Sequence, residues 1–206
     1  MFIDVLSEKQ KEILPKLVNA LAGTDMYLAG GTALALQVGH RPSIDFDWFG
    51  NRIGDSEKLF HKLRIADLDF TILTDTFETV YIEIETVQVS FIGYNYPILN
   101  PFCQWNEYTI QMASLDDIAC MKLSAVTNRG SRKDFIDLHY LITHCRSLGE
   151  YLQLFQEKFK QQDIGHVVRS LAYFEDADQE PEIRMFADLH WKQLKKDFEL
   201  WVRSLC

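Results

Sequence analysis

The pattern of apolar and polar positions is most regular between residues 26 and 39. An apolar run at residues 26–29 is short enough to be a buried strand. Gly30 and Gly31 follow directly and predict a tight turn, because glycine adopts backbone angles that other residues avoid. Residues 32–38 then predict a short helix that Gly39 ends. This part of the chain is therefore predicted to be a strand, a turn and a helix.

A second strand is predicted directly after this helix, at residues 43–49. Side chains alternate between the two faces of a strand, so every second residue shares a face. The two faces then hold, respectively, Ser43, Asp45 and Asp47, and Ile44, Phe46 and Trp48. Aspartate disfavours strands, and like charges on one strand face repel each other. A ligand that offsets this repulsion is therefore expected at the polar face.

The rest of the first half also predicts a mixture of helices and strands. Ser7 and Gln10 have the spacing of a capping box, which opens a helix over residues 8–21. A further helix is predicted at residues 55–64. Runs rich in β-branched residues with near-regular alternation predict strands at residues 67–74, 79–85 and 87–94. Residues 108–112 are predicted to form a short edge strand.

From residue 114 onward the pattern is helical. Capping boxes at residues 114–117 and 131–134 each precede an apolar run. Residues 175–182 are acidic with little helical pattern, which predicts a loop. The predicted helices cover residues 115–127, 132–145, 148–161, 165–171 and 189–205. The last of them is predicted to bury one apolar face, formed by Trp191, Leu194, Phe198 and Trp201. Strands followed by helices indicate an α+β protein with helices packed on a mixed sheet.

Length and composition describe an ordinary folded protein. The 206 residues suffice for one domain, or for one domain with a helical extension, and 47% of them are apolar. The formal net charge of −9 argues against a surface that coats nucleic acid, so a nucleic-acid substrate would need a local basic patch. Neither a signal peptide nor a membrane span is expected. Reduced thiols in a cytoplasmic protein are predicted for Cys103, Cys120, Cys145 and Cys206.

Asp45 and Asp47 are the leading candidates for metal ligands. Mg²⁺ prefers oxygen ligands and commonly uses one or two carboxylates together with substrate phosphates. The backbone N–H groups of Gly30 and Gly31 lie at a helix start, where a phosphate is favoured. A metal-bound nucleoside triphosphate therefore fits this part of the chain. In the alternative interpretation the aspartates pair with Lys or Arg, and the glycines only make a turn.

The same residues resemble the polymerase-β-like nucleotidyltransferase superfamily, whose mark is a Gly-Gly or Gly-Ser turn followed, beyond a short helix, by Asp-x-Asp. A closer similarity is to the AbiEii/AbiGii-type toxin nucleotidyltransferases, the toxin half of type IV toxin–antitoxin pairs. The motifs that carry it are at residues 30–37, 39–41 and 43–47, with further matches at residues 94–97, 113–122, 130–138 and 173–177.

The resemblance implies a nucleotidyltransferase fold of the α+β class, with a mixed β-sheet flanked by helices and a C-terminal helical half. It implies an α/β core at residues 1–113, and a helical half at residues 114–206 that completes the active-site cleft. The implied enzyme uses Mg²⁺ or Mn²⁺ to transfer a nucleotide from a nucleoside triphosphate (NTP) to an RNA end, such as that of a tRNA, or to a protein hydroxyl. A cognate antitoxin is the implied partner, and no membrane association is expected.

The resemblance also implies catalytic roles in the helical half. Lys122 matches a family lysine that would bind the triphosphate, although a lysine on an apolar helix stripe is ordinarily a rim residue. Residues 132–137 match a family motif that would supply a catalytic acid, either Asp134 or Asp137. The alternatives are a capping box for Asp134 and an i,i+4 pair with Lys133 for Asp137.

Further polar residues are candidates for nucleotide binding. Thr32 either caps its helix or binds phosphate, and Ser43 either touches phosphate or metal or bonds to backbone. Arg41 pairs with one of the aspartates, clamps a phosphate, or is simply a cation at the helix end that complements the helix dipole. A compact basic cluster, where RNA or a nucleotide phosphate would bind, consists of Arg129, Arg132 and Lys133.

One position departs from the superfamily pattern. A third carboxylate commonly lies on a strand after Asp-x-Asp, and the matching position here holds Ser90. Glu83 and Glu85 either substitute for it or face solvent. Two-metal chemistry needs an acid to activate the incoming hydroxyl. A degenerate module that binds nucleotide or a protein partner without catalysis is therefore the main alternative function, and an RNA-binding protein without chemistry is the third.

Overall fold

The computed structural model describes residues 1–186 and 189–205, so the predicted thiol of Cys206 lies outside the described residues. Contacts divide the chain into two compact units. The first consists of Met1–Asn95 and Phe102–Ala113, and the second of Tyr96–Pro101 and the residues from Ser114 onward. In the part of the chain that the structure describes, no helix has the length and apolar character needed to cross a bilayer.

A mixed sheet of seven strands, counted over the described residues, forms the centre of the first unit. The strands are β1 (Tyr27–Ala29), β2 (Phe46–Gly50), β3 (Thr71–Asp75), β4 (Thr79–Ile84), β5 (Val87–Gly93), β6 (Cys103–Trp105) and β7 (Ile110–Met112). Their spatial order is β3-β4-β5-β2-β1-β7-β6. The β2–β5 and β1–β7 pairs are parallel and the remaining pairs are antiparallel. The predicted mixed sheet is therefore confirmed.

Helices α1 (Glu8–Leu21), α2 (Gly30–Val38) and α3 (Ser56–Ile65) complete the first unit, after a 3₁₀ turn at Ile3–Val5. The α1 helix begins at the predicted capping box, in which Ser7 and Gln10 each accept a hydrogen bond from the backbone of the other. The core lies on one face of the sheet, where the side chains are wholly buried. They include Phe46, Val80, Ile82, Val89 and Phe91.

The predicted strand at residues 43–49 is shorter than expected. The β2 strand begins only at Phe46, so Asp45 lies in the loop before it. Ile44 is 70% exposed and does not share the buried face of Phe46. The reason is that strand alternation applies only where the backbone is paired in the sheet, and the pairing of β2 with β5 begins at Phe46.

Two further strand predictions need correction. The β3 strand begins at Thr71 rather than near residue 67, because Asp67 has a φ of +57°, which is incompatible with a strand. The β6 strand was not predicted at all. Three residues are too few to show an alternating pattern. Because β6 pairs with β7 as a hairpin, β6 is the edge strand on this side, and the edge position predicted for residues 108–112 is wrong.

The second unit is helical. Its helices are α4 (Leu115–Asn128), α5 (Arg132–His144), α6 (Leu148–Phe159), α7 (Gly165–Ser170), α8 (Glu175–Gln179) and α9 (Trp191–Arg203). On α9, Leu194 and Phe198 are wholly buried. Trp191 and Trp201 on the same helix are half-buried. The predicted apolar face of the last helix is thus confirmed at its centre.

The acidic loop predicted at residues 175–182 is wrong, because these residues include α8. Tertiary contacts hold this short helix. Ala177 is buried and its carbonyl accepts a hydrogen bond of 3.1 Å from Arg132 Nε. Asp178 accepts hydrogen bonds from Trp191 Nε1 at 2.6 Å and from Lys195 Nζ at 2.8 Å. A local helical pattern would not reveal contacts of this kind.

A buried ion pair in the second unit holds the loop of residues 96–101. Lys158 and Asp117 are both wholly buried, and Lys158 Nζ lies 2.7 Å from Asp117 Oδ1. Asp117 accepts hydrogen bonds from the backbone N–H groups of Leu99 and Asn100, at 3.0 and 3.3 Å. Lys158 donates to the carbonyl of Pro97 at 2.6 Å. The two charges therefore join α4, α6 and this loop.

Replacing Lys158 by methionine is expected to lower the free energy of unfolding by about 3–5 kcal/mol, since Asp117 would keep a buried charge without its cation. Urea unfolding measures this change. Lys196→Met, on the exposed part of α9, is the matched control and is expected to stay within about 0.5 kcal/mol of the parent. Adding Asp117→Asn to Lys158→Met should recover part of the loss. Parent-like stability of Lys158→Met would contradict the assignment.

Candidate active site

The turn after β1 brings backbone against the carboxylate of Asp47. Ala29, the last residue of β1, is paired with Asp47 of β2. Gly30 follows with a φ of +67°, a conformation that favours glycine. A Cβ atom at this position would lie 2.5 Å from Asp47 Oδ2, closer than non-bonded atoms approach. Only glycine at position 30 therefore leaves room for the Asp47 carboxylate.

Ser90 holds the other oxygen of Asp47. The parallel pairing of β2 with β5 puts the two residues side by side. Ser90 Oγ donates a hydrogen bond of 2.9 Å to Asp47 Oδ1. Ser90 therefore stands on the strand where the third carboxylate was expected, and it supplies a hydroxyl there. As a result, Oδ1 of Asp47 is fixed by the neighbouring strand, while Oδ2 lies against Gly30.

The loop that carries Asp45 is held by two buried hydroxyls. Thr32 Oγ donates to the carbonyl of Asp45, and it lies 2.7 Å from Ser43 Oγ. Because the single Thr32 proton goes to Asp45, Ser43 is the donor between the two hydroxyls. Ser43 N also donates to the carbonyl of Val5 at 3.1 Å. Thr32 and Ser43 are 1% and 7% exposed, so they hold the backbone of Asp45 from the protein interior.

Arg41 belongs to the same loop. It is 4% exposed, and its Nη1 donates a hydrogen bond of 3.0 Å to the carbonyl of Pro42. His40 beside it is also buried. These side chains are packed into the loop between α2 and Asp45 rather than extended into solvent.

The start of α2 offers backbone donors to an anion. The N-cap residue, Ala29, makes no side-chain cap hydrogen bond, and the first turn contains no acidic side chain. The first N–H groups of a helix have no partner within the helix, and the helix dipole adds partial positive charge there. The N-terminus of α2 therefore has the backbone donors that a phosphate group would need, and phosphate binding by Gly30 and Gly31 stays a prediction.

The donors present here fit a divalent cation. Asp45 and Asp47 are both half-buried, and Asp47 Oδ2 lies beside the N-terminus of α2. Two carboxylates next to a phosphate site match the way Mg²⁺ is bound in enzymes that use triphosphates. Within residues 1–186 and 189–205, no three His, Cys, Asp or Glu side chains converge as a ready-made metal cage. Glu85, one proposed substitute, pairs instead with Lys9 at 3.1 Å.

A second cluster of predicted site residues lies in the second unit. Lys122 Nζ lies 2.8 Å from Asp134 Oδ1 and 2.6 Å from Asp137 Oδ2. Both carboxylates are wholly buried and Lys122 is 4% exposed. The structure thus brings together the lysine of α4 and the two acids of α5. Asp137 therefore forms an ion pair with Lys122, a contact between helices that the sequence alone did not reveal.

Asp134 is held as a fixed negative charge. Arg129 Nε and Nη2 donate to its two oxygens at 2.8 and 3.1 Å, and Ser131 Oγ donates to Oδ2 at 2.8 Å. Burial alone would raise the pKa of Asp134, but the charge of Lys122 and the hydrogen bonds and charge of Arg129 outweigh it and hold this pKa well below its ordinary value. Asp134 is therefore a poor proton acceptor near neutral pH.

The predicted capping box at residues 131–134 is wrong, because Ser131 makes no side-chain cap hydrogen bond. Its hydroxyl instead binds the Asp134 carboxylate. Neither this role for Ser131 nor the contact between Arg129 and Asp134 was predicted from the sequence. The Ser-x-x-Asp spacing was the available signal, but it cannot distinguish a cap from a contact between two side chains.

The predicted basic cluster is also smaller than expected. Arg132 is 7% exposed and its guanidinium lies 4.8 Å from the ring centroid of Trp191. Its Nε donates to Ala177 and its backbone N to Glu180. Arg132 therefore packs inside the second unit, and it is not part of a surface patch. The side chain of Arg129 is 58% exposed, and Lys133 is half-buried.

Gly30→Ala tests the contact with Asp47. The variant is expected to lose more stability than Gly23→Ala, by about 1–3 kcal/mol, because its methyl group would overlap Asp47 Oδ2. Gly23 is the matched control, since its φ of +73° imposes similar backbone strain but a Cβ there would meet nothing within 4 Å. Urea unfolding compares the two variants. Equal losses would show that the Gly30–Asp47 contact is absent.

Asp134→Asn tests the fixed charge through its pH dependence. A carboxyl whose folded pKa is lowered contributes stability above its ordinary pKa of 3.8, and that contribution is lost as pH falls from there through the folded pKa. The parent should therefore lose stability on going from pH 5 toward pH 2 more steeply than Asp134→Asn does. Urea unfolding across this range gives both slopes, and identical slopes would rule out the paired carboxylate.

The chain matches a family model described as nucleotidyl transferase AbiEii toxin, type IV toxin–antitoxin system, over residues 12–203. It is also 36% identical over 207 residues to an uncharacterised protein of Aquifex aeolicus (strain VF5), covering 97% of each chain. The family match spans both units and includes every predicted site residue.

Solved structures share the fold. JHP933 from Helicobacter pylori matches with a TM-score of 0.57 and 19% identity, covering 97% of this chain and 93% of that one. MenT4, a nucleotidyltransferase toxin of Mycobacterium tuberculosis H37Rv, matches with a TM-score of 0.55 and 12% identity over 94% and 86% of the two chains. The antibiotic-resistance factor ANT(2'')-Ia matches with a TM-score of 0.57 and 12% identity over 74% and 91%. The predicted nucleotidyltransferase fold is therefore confirmed.

Taken with the Gly-Gly turn and the two aspartates that follow it, the family match identifies the chain as a member of the AbiEii family of nucleotidyltransferase toxins of type IV toxin–antitoxin systems.

Proposed function

We propose that this chain is a metal-dependent nucleotidyltransferase whose metal is held by Asp45 and Asp47. The observation that carries the proposal is the contact between the Gly30 backbone and Asp47 Oδ2. It places the carboxylate that is proposed to bind metal beside the helix N-terminus that is proposed to bind phosphate. A metal-bound triphosphate needs both groups at once. The family match supports nucleotidyl transfer in general.

The proposed reaction is attack of an acceptor hydroxyl on the α-phosphorus of an NTP, with release of pyrophosphate. When bound, a divalent ion would neutralise charge on the triphosphate and on the attacking oxygen. The N–H groups at Gly30 and Gly31 would bind phosphate oxygens at the positive end of α2. The chain's own contribution is therefore to orient the triphosphate against Asp45 and Asp47.

Three hydroxyls position Asp45 and Asp47 in this proposal. Thr32 and Ser43 hold the Asp45 loop, and Ser90 fixes Oδ1 of Asp47. This differs from the direct phosphate contact first expected for Thr32 and Ser43. Both side chains are buried, which supports a positioning role.

The second unit supplies the remaining proposed roles. Lys122 would bind the triphosphate, held in place by its two carboxylates. Asp137 is the better candidate to take the acceptor proton, because the pKa of Asp134 is held low by two cations. Asp134 would then position Lys122. Arg129, Lys133 and Arg41 stay proposed nucleotide-binding residues.

The biological role that we propose is that of a toxin restrained by a cognate antitoxin, with an RNA end, a tRNA included, or a protein hydroxyl as acceptor. A cytoplasmic location fits this role and is supported by Cys103, Cys120 and Cys145, which are free thiols. The competing function is a module that binds nucleotide without transfer. The Ser90 hydroxyl at the third-carboxylate position favours it.

Thermal unfolding with each common NTP, with and without Mg²⁺, tests the proposal. At a hundredfold excess over Kd, the preferred NTP with Mg²⁺ is expected to raise Tm by roughly 5–10 °C. Asp45→Asn and Asp47→Asn should abolish the rise, because each removes a metal-binding charge. Asp69→Asn is the matched control, an exposed aspartate of the same unit, and should keep the rise.

The outcomes separate the candidate functions. A rise without Mg²⁺ that survives both substitutions would contradict the metal site. A metal-dependent rise without label transfer from an α-³²P-labelled NTP to cellular RNA or protein would favour the binding module. No rise with any NTP would remove both nucleotide-based functions. Lys122→Met, measured in the same assay, tests the separate proposal that this lysine binds the triphosphate.

A further inference from the structure

One edge of the sheet in the first unit is open. The β3 strand is the last strand on its side, so it pairs with β4 alone. The backbone N–H and C=O groups on its outer side are therefore available to another strand. Of the residues in Thr71–Asp75, all except Thr74 are exposed, so no element within residues 1–186 and 189–205 buries this strand. At its end, Ser56 of α3 donates a hydrogen bond of 3.0 Å to Asp75 Oδ2.

Large apolar side chains are exposed along this edge. Ile72 is 44% exposed and Leu73 is 50% exposed, and Phe77, in the turn that leads to β4, is 84% exposed. Natural proteins usually protect an open edge with lysines, prolines or very short strands, because an apolar edge invites unwanted pairing. A β-bulge also protects an edge strand, and β3 has one between Ile72 and Thr74. The exposed apolar side chains beside it act in the opposite sense and favour contact with a partner.

Unpaired negative charge surrounds the same edge. The sequence contains no Lys, Arg or His from residue 65 to residue 121. Four of the acids in that interval have cations beside them. Near β3, Asp67 pairs with Lys16 and Glu85 with Lys9. In the second unit, Asp116 pairs with Arg146 and Asp117 with Lys158. Acids near β3 that form no ion pair with any described residue are Asp69, Asp75, Glu78 and Glu83.

We propose that the β3 edge, defined as residues 69–78, binds an extended basic polypeptide segment of a partner protein. An extended peptide can continue the sheet by main-chain hydrogen bonds, which few other ligands offer. Alternating apolar side chains of the segment would contact Ile72, Leu73 and Phe77. Lysine or arginine side chains would meet the four unpaired acids, and complementary charge speeds and selects such an encounter.

Charge argues against two other occupants. A second copy of this chain would bring two acidic edges together, and like charges across an interface disfavour association. A single-stranded RNA would bring its phosphates to the same acids. Residues 69–78 contain no lysine or arginine that could neutralise these phosphates and so release the counterions bound to the RNA. The inference does not depend on the nucleotidyl transfer proposed above.

The probe is a fluorescein-labelled heptapeptide that alternates lysine with valine and threonine, measured by fluorescence anisotropy with the full chain. A first control peptide has glutamate in place of lysine. A second keeps the lysines but carries N-methyl groups on alternate backbone amides, which blocks strand addition without changing charge. The lysine peptide is expected to bind at least about tenfold more tightly than either control, and more weakly as salt is raised.

Two charge reversals locate the binding site. Glu78→Lys lies in the β3–β4 turn, and Glu107→Lys lies in the β6–β7 turn at the opposite edge of the same sheet; both glutamates are exposed. Glu78→Lys is expected to weaken binding of the lysine peptide by about tenfold, and Glu107→Lys by no more than about twofold. Hydrogen exchange with the parent should show that the amides of residues 71–75 that face away from β4 become protected when the lysine peptide is added, and with neither control peptide.

Several results would overturn the inference. These are equal binding of the lysine and glutamate peptides, equal effects of Glu78→Lys and Glu107→Lys, and no added protection of β3. Preferential binding of a single-stranded RNA oligonucleotide at this edge would overturn it as well. So would a dimer of the chain, seen by sedimentation, whose β3 amides are protected without peptide.

Discussion

Oδ2 of the Asp47 carboxylate lies against backbone that has no side chain, where a Cβ of residue 30 would approach within 2.5 Å. This contact requires glycine directly after β1, at the first position of α2. It places a negative group at the positive end of that helix. The other oxygen of Asp47 is fixed by Ser90 from β5. The carboxylate is therefore set by three neighbours, β1, α2 and β5, and the proposed metal and phosphate positions depend on it.

Buried charge organises the second unit in a similar way. Asp117 and Lys158 join two helices to a loop, while Asp134 and Asp137 surround Lys122. Breaking a buried pair is far more costly than losing an exposed one, because the remaining charge stays out of water. These clusters therefore fix the orientation of side chains that would otherwise move freely. For Lys122, such orientation is what a phosphate-binding role would need.

Much of the fold could be predicted from the sequence, because the Gly-Gly turn and the β-branched runs are local signals. The order of the motifs then gave the family. What failed depended on contacts between distant residues. Ile44 does not lie on the strand face predicted for it, because sheet pairing begins only at Phe46. The α8 helix forms because Arg132 and Trp191 donate hydrogen bonds to it. In the candidate site, the partners of Asp134 and the bond from Ser90 to Asp47 likewise required the three-dimensional structure.

The most direct test of the central claim is a Mn²⁺ titration followed by electron paramagnetic resonance, with a non-hydrolysable analogue of the preferred NTP. Mn²⁺ replaces Mg²⁺ at oxygen-rich sites and reports bound ions without any need for turnover. If Asp47 holds the metal, the parent should bind Mn²⁺ tightly together with the analogue, and Asp47→Asn should lose that binding. Equal Mn²⁺ binding by the parent and by Asp47→Asn would contradict the account.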